Sequence, residues 1–360
     1  MQHWPFICLI AIANNRVFFR KIVGLGNPLL DLVAVVDTDL LKKYDLEADN
    51  AILAEDKHMQ LFQDLPQKYD TKYIAGGACQ NTLRVVQWII RQPHVCTFFG
   101  AVGEDESLKI MTKSCEDVQL RVQYQIHSKE LTGRCAVCVT DHNRSLVTHL
   151  GAANSFTVDH LKTPENQAIL GEASIAYISG YFLTVSPDSI DLVCKQTVTD
   201  KKTLVMNFSA VFLCQFFKEP QMAAFPYVDI IIGNETEAAT FAAEQNLGVT
   251  DLKEVAKKVS ELPRCDGKED VKRTVIITQG SNPVILCENG VVSEIPAVKL
   301  NPEEIVDTNG AGDAFVGGFL AMLVSGKPTE ECVKCGIWAA THIIQESGMT
   351  LPSNVHYTPS

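Results

Sequence analysis

Toward its C-terminus the chain reads Asp307-Thr-Asn-Gly-Ala-Gly-Asp-Ala-Phe-Val-Gly-Gly318, followed by a helix-length apolar stretch to Val324. Physically this is a glycine-containing turn that opens a helix. Gly310 and Gly312 carry no Cβ, so backbone amides can approach a phosphate closely, and the helix dipole adds positive potential at the same point. Asp313 falls in the first helical turn, where that dipole should keep it ionised. An ionised carboxylate beside an anion hole can accept a hydroxyl proton as a phosphoryl group is transferred. Taken alone, the same residues also make an ordinary glycine turn with an acidic residue near a helix start.

Three further segments carry usable spacing. In Gly233-Asn-Glu-Thr-Glu-Ala-Ala239, Asn234 and Glu237 stand three apart, the spacing of a capping box, which by itself only satisfies the first turn of a helix. Ala75-Gly-Gly-Ala-Cys-Gln-Asn81 precedes a helical stretch from Thr82 to Arg91. There the pair Gly76-Gly77 permits close ligand approach and hinge-like backbone change, and Asn81 can offer its amide to a hydroxyl. Gly24-Leu-Gly-Asn-Pro-Leu-Leu-Asp31 begins with Gly-x-Gly but lacks the third glycine and the later acidic residue of a dinucleotide fingerprint.

The whole string from Asp307 to Phe315 resembles the C-terminal signature of the ribokinase-like carbohydrate and nucleoside kinases. The segment Ala75 to Asn81 is similar to that family's N-terminal signature, and the family has an Asn-x-x-Glu element, linked to Mg²⁺ and phosphate, at the place of Asn234 and Glu237. Within the family, Gly-Asn-Pro-Leu-Leu-Asp31, Ile52-Leu-Ala-Glu-Asp-Lys-His58, Asn143-Arg-Ser-Leu146 and Phe182-Leu-Thr-Val-Ser-Pro187 look like the adenosine kinases rather than the sugar kinases. The resemblance extends from about Ile22 to Thr350.

That resemblance implies ATP-dependent, Mg²⁺-requiring phosphorylation of the 5′-hydroxyl of adenosine. It implies Asn309, Gly310, Ala311 and Gly312 as the anion hole, Asp313 as the catalytic base, and Arg144 as a cation reaching the transferring phosphate. Glu237 would lie near the metal, with Asn234, Thr278 and Gly280 on the ATP side. Asn27 and Asp31 would hold the ribose beside Gly76, Gly77 and Asn81, Phe182 would stack on the purine, and Cys135 and Leu146 would line the lid side of the pocket. Two positions depart from the pattern: Ala51 stands where these kinases tend to carry Gln, and Ile337 where a His is expected near the nucleotide.

These groups need elements to hold them. Apolar runs at Ala173-Ser-Ile-Ala-Tyr-Ile178, Thr203-Leu-Val-Met206, Asp229-Ile-Ile-Ile232 and Thr274-Val-Ile-Ile277 alternate with helix-length segments, as buried parallel strands with crossover helices do. Each ends in small or polar residues: Ser179-Gly180, Asn207-Phe-Ser209, Gly233-Asn234 and Thr278-Gln-Gly280. In an open α/β sheet, ligands bind outside the carboxyl ends of the strands. Before residue 150 the pattern alternates instead, at Leu32-Val-Ala-Val-Val36, Gly133 to Val139 and Ser145 to Leu150, which reads as half-buried, antiparallel strands forming a lid. Glu288-Asn-Gly290 predicts a hairpin turn.

The expected architecture is a ribokinase-like three-layer α/β/α domain from residues 21–31, 77–129 and 152–350, with a small β lid from 32–76 and 130–151. Residues 1–20 and 351–360 read as extensions.

With 360 residues and a net charge of −12, the chain can bury a sizeable core and lacks the basic footprint of a nucleic-acid binder. An acidic protein that binds ATP must do so with local devices, which returns the argument to the glycine turn. Twelve cysteines are scattered along a chain too large to need disulfide stapling, so they read as reduced thiols. Of two Cys-x-x-Cys pairs, Cys135/Cys138 lies on a strand and points to opposite faces, and Cys332/Cys335 reads as helical packing. The apolar run Pro5 to Ala13 has no Lys or Arg before it and is too short to span a bilayer. Asn-x-Ser/Thr sequons begin at Asn143, Asn207 and Asn234, in segments assigned to the active site, where a glycan would be ruinous. The expectation is a cytoplasmic monomer whose partners are adenosine and ATP, with no nucleic acid and no membrane.

Overall fold

The computed structural model describes residues 19–48, 50–140, 143–265 and 267–359; most of the expected N-terminal extension lies outside them. Strands in the first half are β1 (Ile22–Leu25), β2 (Leu29–Val35), β3 (Ala51–Leu53), β4 (Lys72–Gly76), β5 (Cys96–Gly103), β6 (Arg121–His127) and β7 (Gly133–Thr140). The second half adds β8 (Asn143–His149), β9 (Ile175–Ile178), β10 (Thr203–Asn207), β11 (Ile230–Asn234), β12 (Thr274–Gln279), β13 (Asn282–Glu288) and β14 (Val291–Ile295). Four helices matter for the site: α1 (Ala78–Ile90), α2 (Glu235–Glu244), α3 (Ala311–Val324) and α4 (Thr329–Ile343).

Nine strands form the main sheet in the order β14-β13-β12-β11-β10-β9-β1-β5-β6. It is parallel from β12 to β6, and β13 and β14 add an antiparallel edge. The apolar runs are buried on both faces, which is why they do not alternate. In β9, Ile175 and Tyr177 enter one core with Phe98, Ile232 and Phe319, while Ala176 and Ile178 enter the other with Phe182, Phe208 and Phe241. Two cores on opposite faces of one sheet define a three-layer α/β/α sandwich. The hairpin between β13 and β14 turns at Asn289 and Gly290, with φ of 52° and 78°, the two positive values a type I′ turn requires.

The lid is a five-stranded sheet, β3-β8-β7-β2-β4. It is mixed rather than antiparallel: β2 pairs with β7 and β3 with β8 in parallel, while β2–β4 and β7–β8 are antiparallel. The reason is topological. Long stretches of the main domain separate β2 from β7 and β3 from β8, and such crossovers allow parallel pairing where a hairpin does not. Residues 29–31, expected in the large domain, belong to β2, because the alternating burial starts immediately after Pro28 rather than at Leu32. Helix α1 likewise begins at Ala78, ahead of the expected Thr82, so Asn81 sits in its first turns.

Candidate active site

One cleft runs between the lid and the carboxyl ends of the main-sheet strands, lined from both sides. Its floor is a row of polar groups on successive strand ends: Asn27 after β1, Ser179 after β9, Asn207 of β10, Asn234 of β11 and Thr278 of β12. The lid supplies Asp31, Ile52, Cys135, Leu146 and Thr148, and the helical side supplies Asn81 of α1 with Gly310, Gly312 and Asp313. Cys138, three residues from Cys135 on β7, points the other way into the lid core.

At the head of α3, Gly310 adopts φ 78° as the N-cap, and a Cβ there would overlap the Met349 side chain. Only glycine takes both that dihedral and that space. A Cβ on Gly312 would meet open space, and Asn309, Gly310 and Gly312 line the cleft. The Ala311 amide turns back to Thr308 O at 3.3 Å, and Ala311 is not among the lining residues. The first amides of α3 have no intrahelical partner by geometry, which makes this end an anion site.

Asp313 lies in that first turn and accepts from Asn81 Nδ2 at 3.1 Å. Its pKa differs from the dipole-based expectation: burial pushes it up to about 7, with the Asn81 hydrogen bond opposing. A carboxyl poised near neutrality is suited to general-base work. Asn81, expected on a sugar hydroxyl, spends one amide proton on Asp313 and accepts from Arg84 Nη1 at 3.4 Å.

Asp31 of β2 faces the same cleft, pushed up to about 7 by burial and by the charge of Asp313, with Arg144 and Arg84 opposing. Its carboxylate packs so tightly on Gly76 that a Cβ there would overlap it, and a Cβ on Gly77, at φ 93°, would overlap the Asn27 carbonyl. The glycine pair therefore makes room for Asp31 and turns the chain from β4 into α1. Asn27 donates to Tyr181 O at 3.1 Å, and its Oδ1 is buried without a hydrogen-bond partner among the described residues. An orphaned buried acceptor calls for a ligand donor.

Asn234 and Glu237 form the capping box in full: Glu237 N donates to Asn234 Oδ1 at 2.8 Å and Asn234 N to Glu237 Oε2 at 3.0 Å. Both also line the cleft, and burial pushes Glu237 up to about 7. The residues that cap α2 are thus the same ones that face the cleft.

Several expected site residues sit elsewhere. Phe182 is fully buried and packs edge-on against Phe156, with ring centroids 5.4 Å apart. The chain after β9 is a 3₁₀ turn, Gly180–Thr184, in which residues three apart share a face. Tyr181 and Thr184 consequently face the cleft, and Phe182 faces the core. Tyr181 meets Phe212 there, centroids 6.2 Å apart, and neither ring stands in a motif that marks it. Gly280 lies in the β12–β13 turn outside the cleft. Arg144 of β8 is ion-paired with Asp307 at the start of the glycine turn instead of facing the lining directly. Ala51 lines the cleft, Ile337 is packed in the core beside α3, and Asn143 is exposed at the start of β8 rather than in the site.

The arrangement places the acceptors Asn27 and Asp31 under the lid, the carboxyl of Asp313 in the middle, and the free amides of the α3 end on the same cleft as the buried carboxyl of Glu237. Comparisons with known proteins bear on the chain as a whole. The chain is 46% identical over 341 residues to adenosine kinase 2 of Arabidopsis thaliana, covering 95% of this chain and 98% of that protein. Among solved structures, adenosine kinase of Anopheles gambiae in complex with P1,P4-di(adenosine-5) tetraphosphate matches with a TM-score of 0.90 and 50% identity, covering 94% of this chain and 99% of that one. Adenosine kinase from Schistosoma mansoni in complex with 2-fluoroadenosine matches with a TM-score of 0.90 and 35% identity over the same shares. The pattern of the pfkB family carbohydrate kinases matches residues 39–355, a span that holds lid strands β3, β4, β7 and β8, the glycine turn and Asp313. With that span, the chain belongs to the pfkB family of carbohydrate kinases.

Proposed function

We propose that the chain transfers the γ-phosphoryl group of ATP to the 5′-hydroxyl of adenosine. The observation that carries this reading is the cleft itself, which joins an aromatic and aliphatic chamber to an anion-binding helix end with Asp313 between them. A purine fits between Tyr181 and Phe212 on one side and Ile52 and Leu146 on the other. The ribose hydroxyls donate to Asp31 and to the orphaned Asn27 Oδ1. Asp313 accepts the 5′-hydroxyl proton as the oxygen attacks phosphorus, and the amides of the turn from Asn309 to Gly312 stabilise the charge on the transferring group.

Glu237 suits a hard divalent cation. It is a buried carboxylate with no basic side chain bonded to it among the described residues, and Mg²⁺ in kinases is commonly held by one or two carboxylates plus substrate phosphates and water. Mg²⁺ bound there would neutralise charge on the ATP phosphates. Among the described residues no helix is long and apolar enough to cross a membrane. The same reading takes the chain as cytoplasmic, because all eleven described cysteines are free thiols.

The test is transfer of radiolabel from γ-labelled ATP, with and without Mg²⁺, across adenosine, other nucleosides, ribose and fructose. Labelled AMP should form with adenosine and Mg²⁺ at the highest kcat/KM. Preferred labelling of a free sugar would replace this reading with a carbohydrate kinase.

A further inference from the structure

Asp307 opens the glycine turn, and the chemistry above uses only the residues after it. Its side chain is nonetheless a junction of three segments. Oδ1 accepts from the Asn309 amide at 2.8 Å, inside the turn. Oδ2 accepts from the Gly348 amide at 2.6 Å, in the segment that follows α4, and also pairs with Nη2 of Arg144 on lid strand β8. The Asp307 side chain is 1% exposed and that of Arg144 11%. An ion pair this buried persists only where further hydrogen bonds satisfy the carboxylate, and the two amides do so. Opening the lid has to part these charges. From the same position, Arg144 also favours the ionised form of Asp31.

We propose that Asp307 is a positioning residue that clamps Arg144, and with it the β8 edge of the lid, against the anion-hole turn. One carboxylate thereby sets both the shape of the turn and the closed position of the lid. The proposal rests on the phosphoryl-transfer reading of the turn.

A four-enzyme cycle tests it: wild type, Asp307→Asn, Arg144→Met and the double variant, with kcat and KM for adenosine and ATP and hydrogen exchange of residues 143–149 in the ligand-free full chain. Asp307→Asn alone should lower kcat/KM by at least about tenfold and speed exchange in β8. In the Arg144→Met background it should cost clearly less, only what the turn itself loses, and leave exchange unchanged, since a shared interaction can be lost only once. An equal cost in both backgrounds, or unaltered β8 exchange, would mean that Asp307 serves the turn alone and would overturn the clamp. Should Asp307→Asn not fold, Arg144→Lys and Arg144→Met decide: the clamp requires slow β8 exchange in the lysine variant and fast exchange in the methionine variant, and equal exchange overturns it. A wild-type chain that fails to phosphorylate adenosine would count against the proposed function, while the exchange measurement reads the clamp without substrate.

Discussion

The two ends of the cleft are built differently. At the phosphoryl end, the working groups sit in two short contiguous stretches, Asn234 to Glu237 and Asp307 to Asp313, and much of the chemistry is backbone amide held by local turns. At the nucleoside end, Asn27, Asp31, Ile52, Leu146, Tyr181 and Phe212 come from distant segments and meet only because two sheets face each other. Local geometry makes the first end sensitive to single backbone changes. Long-range packing makes the second tolerant in chemistry but dependent on the lid.

The sharpest way to separate them is Gly310→Ala. Its φ of 78° and the approach of Met349 leave no place for a Cβ, so the turn must shift. Loss of a preformed oxyanion donor costs about 10²–10³ in kcat. Steady-state kinetics should show that loss with adenosine affinity little changed; unimpaired kcat would mean that the turn's geometry is not what binds the transferring group.

Neighbouring aromatic residues probe the other end. Phe182→Ala should destabilise the fold by about 3–5 kcal/mol, as large-to-small changes in a full core do, without a selective effect on adenosine KM. Tyr181→Ala should do the reverse, raising KM for adenosine about tenfold at near-wild-type stability. Denaturant melts and kinetics on the two variants check this, and a selective KM effect at Phe182 would restore the sequence-based assignment.

That pair also shows what the sequence could and could not convey. The glycine turn, the Asn-x-x-Glu cap and the apolar strands carry local signals, because each is fixed by a few consecutive residues. Phe182 faces the core and its neighbour Tyr181 the cleft because a 3₁₀ turn and an extended segment look alike in composition yet face their side chains differently. Phe212 carries no motif at all, and the polar end of β10 at Asn207 is the only hint that its neighbourhood is exposed to the cleft. Parallel pairing in the lid and the ion pair from Arg144 to Asp307 were illegible for the same reason: both depend on residues far apart in the chain.

A smaller effect distinguishes the ribose contacts. Charge-assisted hydrogen bonds are worth about 1.5–3 kcal/mol each, so wild type should prefer adenosine over 2′-deoxyadenosine by roughly ten- to a hundredfold in kcat/KM. Asp31→Ala should shrink that ratio while slowing both substrates. An unchanged ratio would assign Asp31 to supporting the glycine pair instead.

The smallest effect lies in stability. Asp31, Asp313 and Glu237 hold their protons up to about pH 7 in the folded chain, against ordinary values of 3.8 for Asp and 4.5 for Glu. Between those limits the folded state binds more protons than the unfolded one, so stability of the ligand-free protein falls as pH rises through that window. Asp313→Asn should flatten the fall and raise Tm at pH 8 by roughly a few degrees. Calorimetry from pH 5 to 8 measures it, and parallel wild-type and variant curves would show that Asp313 is not strained by burial.

The account depends most on Asp313 as the base at the junction of the two ends. Single-turnover transfer from ATP to adenosine, measured for wild type and Asp313→Asn alongside adenosine affinity by calorimetry, tests it most directly. The predicted result is transfer slowed at least about 10²-fold in the variant, affinity changed far less, and a wild-type rate that falls as pH drops below about 7. Near-normal transfer by Asp313→Asn, or a wild-type rate indifferent to pH across that range, would contradict it.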